Sequence, residues 1–293
     1  MKMEKFEISR IQTADKIFLD GIIYEAPKKS QTAIIYVHGL GGAFYGNPKR
    51  LQEYAKECKK QGFGFFAFNN RGNNSVVRID KEENGKFISE DGGCAFEDFS
   101  DSIFDIDAVI EEAKKRKYTR ILLIGHSTGA NKAVYYLYKK PKNDIELAVL
   151  SGAVSDVPMV KKILGSGYQK AIKYAQKIIK QNKNELLPQE LIFQFATPKR
   201  FLSLAKEKTQ EDVFQYYLEK PEFRELKSIK IPTLVIIGEM DQYATIKPEK
   251  IIEIYKNINK KVDGIIIKNA DHSFRNFEKE SVREIFSWII KNK

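Results

Sequence analysis

Ile121-Leu122-Leu123-Ile124-Gly125-His126-Ser127-Thr128-Gly129-Ala130 is the stretch from which the fold follows. Residues 121–124 form a short, wholly apolar, branched run, the pattern of a strand buried on both faces. Residues 127–139 carry the spacing of a helix. Between them lies Gly-x-Ser-x-Gly, placed on a strand-to-helix turn. A serine there stands clear of the sheet only if the turn is tight, and a bulky residue two positions before or after it would clash. Gly125 and Gly129 avoid that clash. The helix N-terminus behind Ser127 favours negative charge developing beside it. Ser127 is therefore the candidate nucleophile.

Upstream, residues 33–37 predict another buried strand, which runs into His38-Gly39-Leu40-Gly41-Gly42. Glycines in such a loop let backbone N–H groups turn toward a substrate oxygen. Downstream, residues 232–237 lead into Gly238-Glu239-Met240-Asp241, and residues 262–267 lead into Asn269-Ala270-Asp271-His272-Ser273. A carboxylate and a histidine thus follow two successive strands, in the chain order Ser, Asp, His. The chain has three histidines. His38 lies in the glycine loop and His126 inside the turn, where both read as structural, so His272 remains as the general base. Asp241 is favoured as its acid. Glu239, two residues away, Asp156, beyond a strand at 145–150, and Asp271, adjoining His272, are the other carboxylates in reach of that role.

Residues 5–11 and 16–24 read as antiparallel strands, with Asp20-Gly21 as a turn. Asn47-Pro48 opens a helix, and residues 63–68 form a strand. Residues 97–117 form an amphipathic helix through Phe99, Ile103, Ile106, Ile110 and Ala113. A further helix is expected near 248–257, and a last one through Val282, Ile285, Phe286, Ile289 and Ile290. Strands alternating with helices imply an α/β fold: a mostly parallel central sheet with helices on both faces. Residues 153–230 interrupt the alternation and read as an inserted helical cap. The expected organisation is a core of residues 1–152 and 231–293 with a cap of 153–230.

Hydrophobic residues make up 42% and charged residues 30% of the 293, which suits a globular chain with a full core. No apolar run approaches the roughly 20 residues of a membrane span. Met1-Lys2-Met3-Glu4-Lys5-Phe6-Glu7 lacks the apolar core of a secretory leader, so the expected location is cytoplasmic, with no membrane anchor. Cys58 and Cys94 belong to no metal or redox motif and read as reduced thiols. The formal charge is +11, but the lysines are spread along the chain. They read as a solvated surface, and no nucleic-acid partner is expected. No metal or organic cofactor is expected.

Taken together, these residues resemble the α/β-hydrolase superfamily from about residue 16 to 290, the 153–230 insertion excepted. Asn69-Asn70-Arg71-Gly72, Gly129-Ala130-Asn131-Lys132 and Pro198-Lys199-Arg200-Phe201-Leu202-Ser203-Leu204 are similar to the fungal siderophore-ester hydrolases. The resemblance implies a serine hydrolase acting on a small carboxylic ester. Ser127 would attack, His272 would take its proton, Asp241 would hold the imidazole, and the backbone N–H groups of Leu40 and Thr128 would bind the oxyanion. The same residues would also serve acyl transfer or amide cleavage, and a non-catalytic binding protein can be built on this fold. Arg71 is read as pairing internally rather than meeting a substrate carboxylate. Phe193, Phe195, Phe201, Tyr216 and Tyr217 are read as the packing of the cap rather than an acyl pocket.

Overall fold

The computed structural model describes residues 3–183 and 185–292. Met1 and Lys2, the start of the segment read for a leader, Asn184 within the 153–230 segment read as an inserted cap, and Lys293 lie outside the described residues. In chain order the elements are β1 (Glu7–Gln12), β2 (Phe18–Tyr24), β3 (Thr32–Val37), α1 (Pro48–Gln61), β4 (Gly64–Phe68), β5 (Val77–Glu83), β6 (Lys86–Gly92), α2 (Ser102–Lys115), β7 (Arg120–His126) and α3 (Thr128–Lys139). They continue with β8 (Ile145–Ser151), α4 (Asp156–Leu164), α5 (Tyr168–Lys180), α6 (Pro198–Ala205), α7 (Arg224–Ser228), β9 (Thr233–Gly238), α8 (Pro248–Ile258), β10 (Val262–Ile267) and α9 (Glu278–Lys291).

Every residue of β3, β4 and β9 is buried. Such strands must be covered on both sides, because successive side chains point to opposite faces. Ile35 and Val37 pack into the layer built from α2, α3 and α8. Ile34 and Tyr36 pack into the opposite layer, with α1 and α9. The eight strands of the main sheet among the described residues run in the order β1-β2-β4-β3-β7-β8-β9-β10. From β4 to β10 all neighbours are parallel, and β1 and β2 form an antiparallel edge. The expected α/β architecture is present. The chain has the α/β-hydrolase fold.

Asp20-Gly21 is not a turn. Both residues lie inside β2, and the turn is made by Thr13–Lys16, where the Thr13 N–H donates to Ile17 O at 2.8 Å and Lys16 has φ 72°. Gly21 is there because the Phe68 ring packs onto it: a Cβ would lie 2.4 Å from that ring. The β5–β6 hairpin lies outside the main sheet and is absent from the strands expected from the sequence.

Between β8 and β9 the described residues form helices and irregular chain. Val160, Ala171, Ile172, Phe201 and Leu204 give α4, α5 and α6 an apolar cluster of their own, against which Leu40 packs. No helix among the described residues is long and apolar enough to cross a membrane.

Candidate active site

Ser127 is the hinge between β7 and α3. Its backbone sits at φ 56°, ψ −130°, a conformation costly to any residue with a Cβ, about 1–3 kcal/mol. Two hydrogen bonds hold it there: the Ser127 N–H donates to Ser151 O at 2.8 Å, and the Ala130 N–H donates to Ser127 O at 2.7 Å. The flanking glycines permit the close approach. A Cβ on Gly125 would lie 2.2 Å from Gly129 O, and one on Gly129 would lie 2.2 Å from Val37 O.

The loops after β9 and β10 bring two more groups to this point. His272 Nε2 is 2.9 Å from Ser127 Oγ, and its Nδ1 is 2.8 Å from Asp241 Oδ2. Both partners of the second contact are buried. The other Asp241 oxygen accepts the Tyr243 N–H at 3.0 Å, which fixes the carboxylate plane. The His272 N–H donates to Gln242 Oε1 at 3.2 Å, and His126 Nε2 donates to His272 O at 3.1 Å. The Tyr243 ring stands edge-on to the imidazole at 4.8 Å. Gly152 makes room for the imidazole, since a Cβ there would lie 2.9 Å from His272 Cε1.

The other three carboxylates are engaged elsewhere. Glu239 accepts the Asn269 N–H at 2.8 Å, Asp271 accepts the Arg275 N–H at 2.9 Å, and Asp156 accepts from Asn131 Nδ2 at 3.0 Å.

The glycine loop is held from behind. His38 Nε2 accepts the Asn70 N–H at 3.0 Å, so its proton is on Nδ1, which donates to Gly39 O at 2.9 Å. Burial, with Lys132 nearby, pulls His38 down to about 4, so this ring is neutral. Burial, with Arg50 nearby, likewise holds His126 well below the ordinary histidine range. Neither the Leu40 nor the Thr128 backbone N–H has a protein acceptor among the described residues, and both residues line the cavity that contains Ser127.

Behind the loop lies a buried charge network that sequence reasoning missed. Lys132 on α3 pairs with Glu97 and donates to Asn70 Oδ1 at 3.1 Å. Arg200 on α6 makes two bonds to Glu211, at 2.5 and 3.0 Å, and lies 3.7 Å from Glu97. All four side chains are 1% exposed. The available signal was a lysine on the apolar face of α3, among residues that are otherwise buried.

The cavity measures about 610 Å³. Phe193 lines it; Phe195, Phe201, Tyr216 and Tyr217 do not. Phe201 is in the cluster of α4, α5 and α6, and Phe195 faces solvent. Arg71 is tied to Asp105 and Asp15 at 2.8–3.1 Å and to Asp101 at 3.3 Å, away from the cavity. Among the described residues no group of three or more His, Cys, Asp or Glu is placed to hold a metal.

The structure is similar to the siderophore hydrolase EstB from Aspergillus fumigatus (TM-score 0.70, 16% identity, 94% of this chain and 95% of that one). It is also similar to Est1E from Butyrivibrio proteoclasticus, solved with ferulic acid (0.67, 13%, 97% and 99%). A third likeness is to the Pyrococcus furiosus esterase Pf2001 (0.60, 18%, 98% and 91%). No curated protein matches the sequence. A family model described as "Protein of unknown function (DUF1749)" matches residues 98–292, more than half of the chain.

Proposed function

The chain belongs to the DUF1749 family, and from its site we propose that it is a serine hydrolase that cleaves carboxylic esters. The observation that carries this reading is the unbroken hydrogen-bonded line from Asp241 through His272 to Ser127 Oγ. Its last member is a serine held in strained backbone at a helix N-terminus. The esterases and the siderophore hydrolase among its fold neighbours support the same reading.

In the proposed mechanism, Oγ of Ser127 attacks the ester carbonyl while His272 Nε2 takes its proton. Asp241 keeps the Nδ1 proton in place and stabilises the imidazolium as it forms. The free N–H groups of Leu40 and Thr128 receive the negative oxygen, and one such donor contributes about 2.7–4 kcal/mol. The alcohol leaves with the proton from His272. Water, activated by the same imidazole, then releases the acid from Ser127. Residues 1–152 and 231–293 serve as the hydrolase core. Residues 153–230 act as a helical cap that roofs the cavity and, through Phe193, gives the acyl or alcohol group an apolar contact.

The test is labelling with a fluorophosphonate, read as intact mass. A single adduct on the native chain, absent in Ser127→Ala, is the expected result. A folded native protein that takes no adduct would overturn the proposal.

A further inference from the structure

Beyond β8 the chain passes through Ser155 and Asp156 into α4, and both residues line the same cavity as Ser127. The corner adjoins the nucleophile, because the Ser127 N–H is bonded to Ser151 at the end of β8. Three of its polar atoms are unsatisfied. Ser155 Oγ and Thr128 Oγ1 are buried with no hydrogen-bond partner among the described residues. Ser155 is the N-cap residue of α4, yet its hydroxyl caps nothing. Asn131 gives its amide hydrogens to Asp156 Oδ2 at 3.0 Å and Glu211 O at 2.9 Å, which leaves its Oδ1 unpartnered as well. A buried polar atom left unpaired is destabilising, so an arrangement of this kind is costly unless something fills it.

We propose that Asp156, with Ser155 and Thr128, forms a subsite for a protonated primary amine carried by the ester substrate close to its scissile carbonyl. The inference rests on the ester-hydrolase reading for its substrate and on these residues for its chemistry. The corner offers two hydroxyls and a carboxyl group. An ammonium brings three donors, no acceptor and one positive charge, whereas a substrate hydroxyl brings one donor, two acceptor lone pairs and no charge.

The charge balance points the same way. Burial and the nearby Glu211 carboxylate push Asp156 up to about 8, with Asp212 adding to the effect. Arg200 opposes it but is already engaged by Glu211 and Glu97. Asp156 has no cation of its own, so below about pH 8 the corner retains a proton there, and a bound ammonium takes that proton's place.

The test has two arms. In the first, ω-aminoacyl methyl esters of increasing length are compared with alkyl methyl esters of matched length. At one length the amino ester should show a kcat/KM at least about tenfold above its match, the scale of a charge-assisted hydrogen bond. Asp156→Asn should bring that ratio close to one, and Ser155→Ala should lower it severalfold. No preference at any length, or a preference that survives Asp156→Asn, would overturn the proposal.

The second arm needs no catalysis. n-Butylammonium is titrated calorimetrically into Ser127→Ala and into Ser127→Ala/Asp156→Asn. Binding at least about tenfold weaker in the double variant supports the subsite, and equal binding means the corner holds only solvent. If neither ester series is cleaved, the ester-hydrolase reading falls while this arm still decides the subsite.

Discussion

Asp241 holds His272 from the side opposite Ser127, at 2.8 Å, and its second oxygen is fixed by the Tyr243 N–H. The carboxylate therefore sets both the tautomer and the tilt of the imidazole. Asp241→Asn keeps the shape but lets the side-chain amide turn its NH2 toward Nδ1, which moves the imidazole proton to Nε2. Hydrolysis of a 4-nitrophenyl ester should fall in kcat by about 10³–10⁴ with little change in KM. A loss of less than about tenfold would place the acid elsewhere.

Gly152 is the second control on the same ring. Its φ of 63° and its closeness to His272 leave no space for a methyl group. Gly152→Ala should displace the imidazole and lower kcat by about 10²-fold, the usual cost of a misplacement near 1 Å. The fluorophosphonate labelling rate should fall in parallel, with thermal unfolding checking that the variant is folded.

Lys132 and Glu97 form a buried pair whose breakage is costly. Lys132→Met strands the Glu97 carboxylate, leaving it only Arg200 at 3.7 Å. Urea unfolding should show a loss of about 3–5 kcal/mol. Adding Glu97→Gln should recover part of it, because the stranded charge is then gone. A double variant no more stable than the single one would contradict this account.

Asp156 gives stability a pH dependence with a definite sign. In the folded protein its carboxyl keeps its proton until about pH 8, whereas in the unfolded chain it ionises near the ordinary 3.8. Between those values the unfolded state has released a proton that the folded state retains. Stability contributed by this group is whole below about pH 4 and is lost as pH rises to about 8. Asp156→Asn removes that slope. Its stability relative to the native chain should improve by roughly 2 kcal/mol between pH 5 and pH 8, a figure discounted because the carboxyl opens onto the cavity. Urea midpoints at the two pH values measure it.

What the sequence disclosed, and what it hid, follows from the range of the forces involved. The Ser127 turn is legible because its constraint is local: Gly125 and Gly129 are excluded volumes written two residues either side of the serine. The doubly buried strands are legible because solvent is absent from both faces. The β5–β6 hairpin has no continuous apolar face to mark it in the sequence, although Asn84-Gly85 at φ 51° and 73° is a strong hairpin signal. Gly21 misled in the other direction, because its reason for being glycine is Phe68, which is distant in sequence. The pairing of Lys132 with Glu97, and the open valences of Ser155 and Thr128, depend on partners from separate elements. No spacing along the chain encodes them.

The buried charges also bear on how freely the 153–230 segment can be exchanged between proteins. Arg200 and Glu211 belong to that segment, while Glu97 and Lys132 belong to the sheet-bearing part, and the four neutralise one another out of reach of water. A graft of residues 153–230 onto a sister scaffold would carry half of an ionic joint and leave the other half behind. Recombination at these boundaries therefore has to move Glu97 and Lys132 as passengers. Substrate range in such chimeras would be inherited in units larger than residues 153–230 alone.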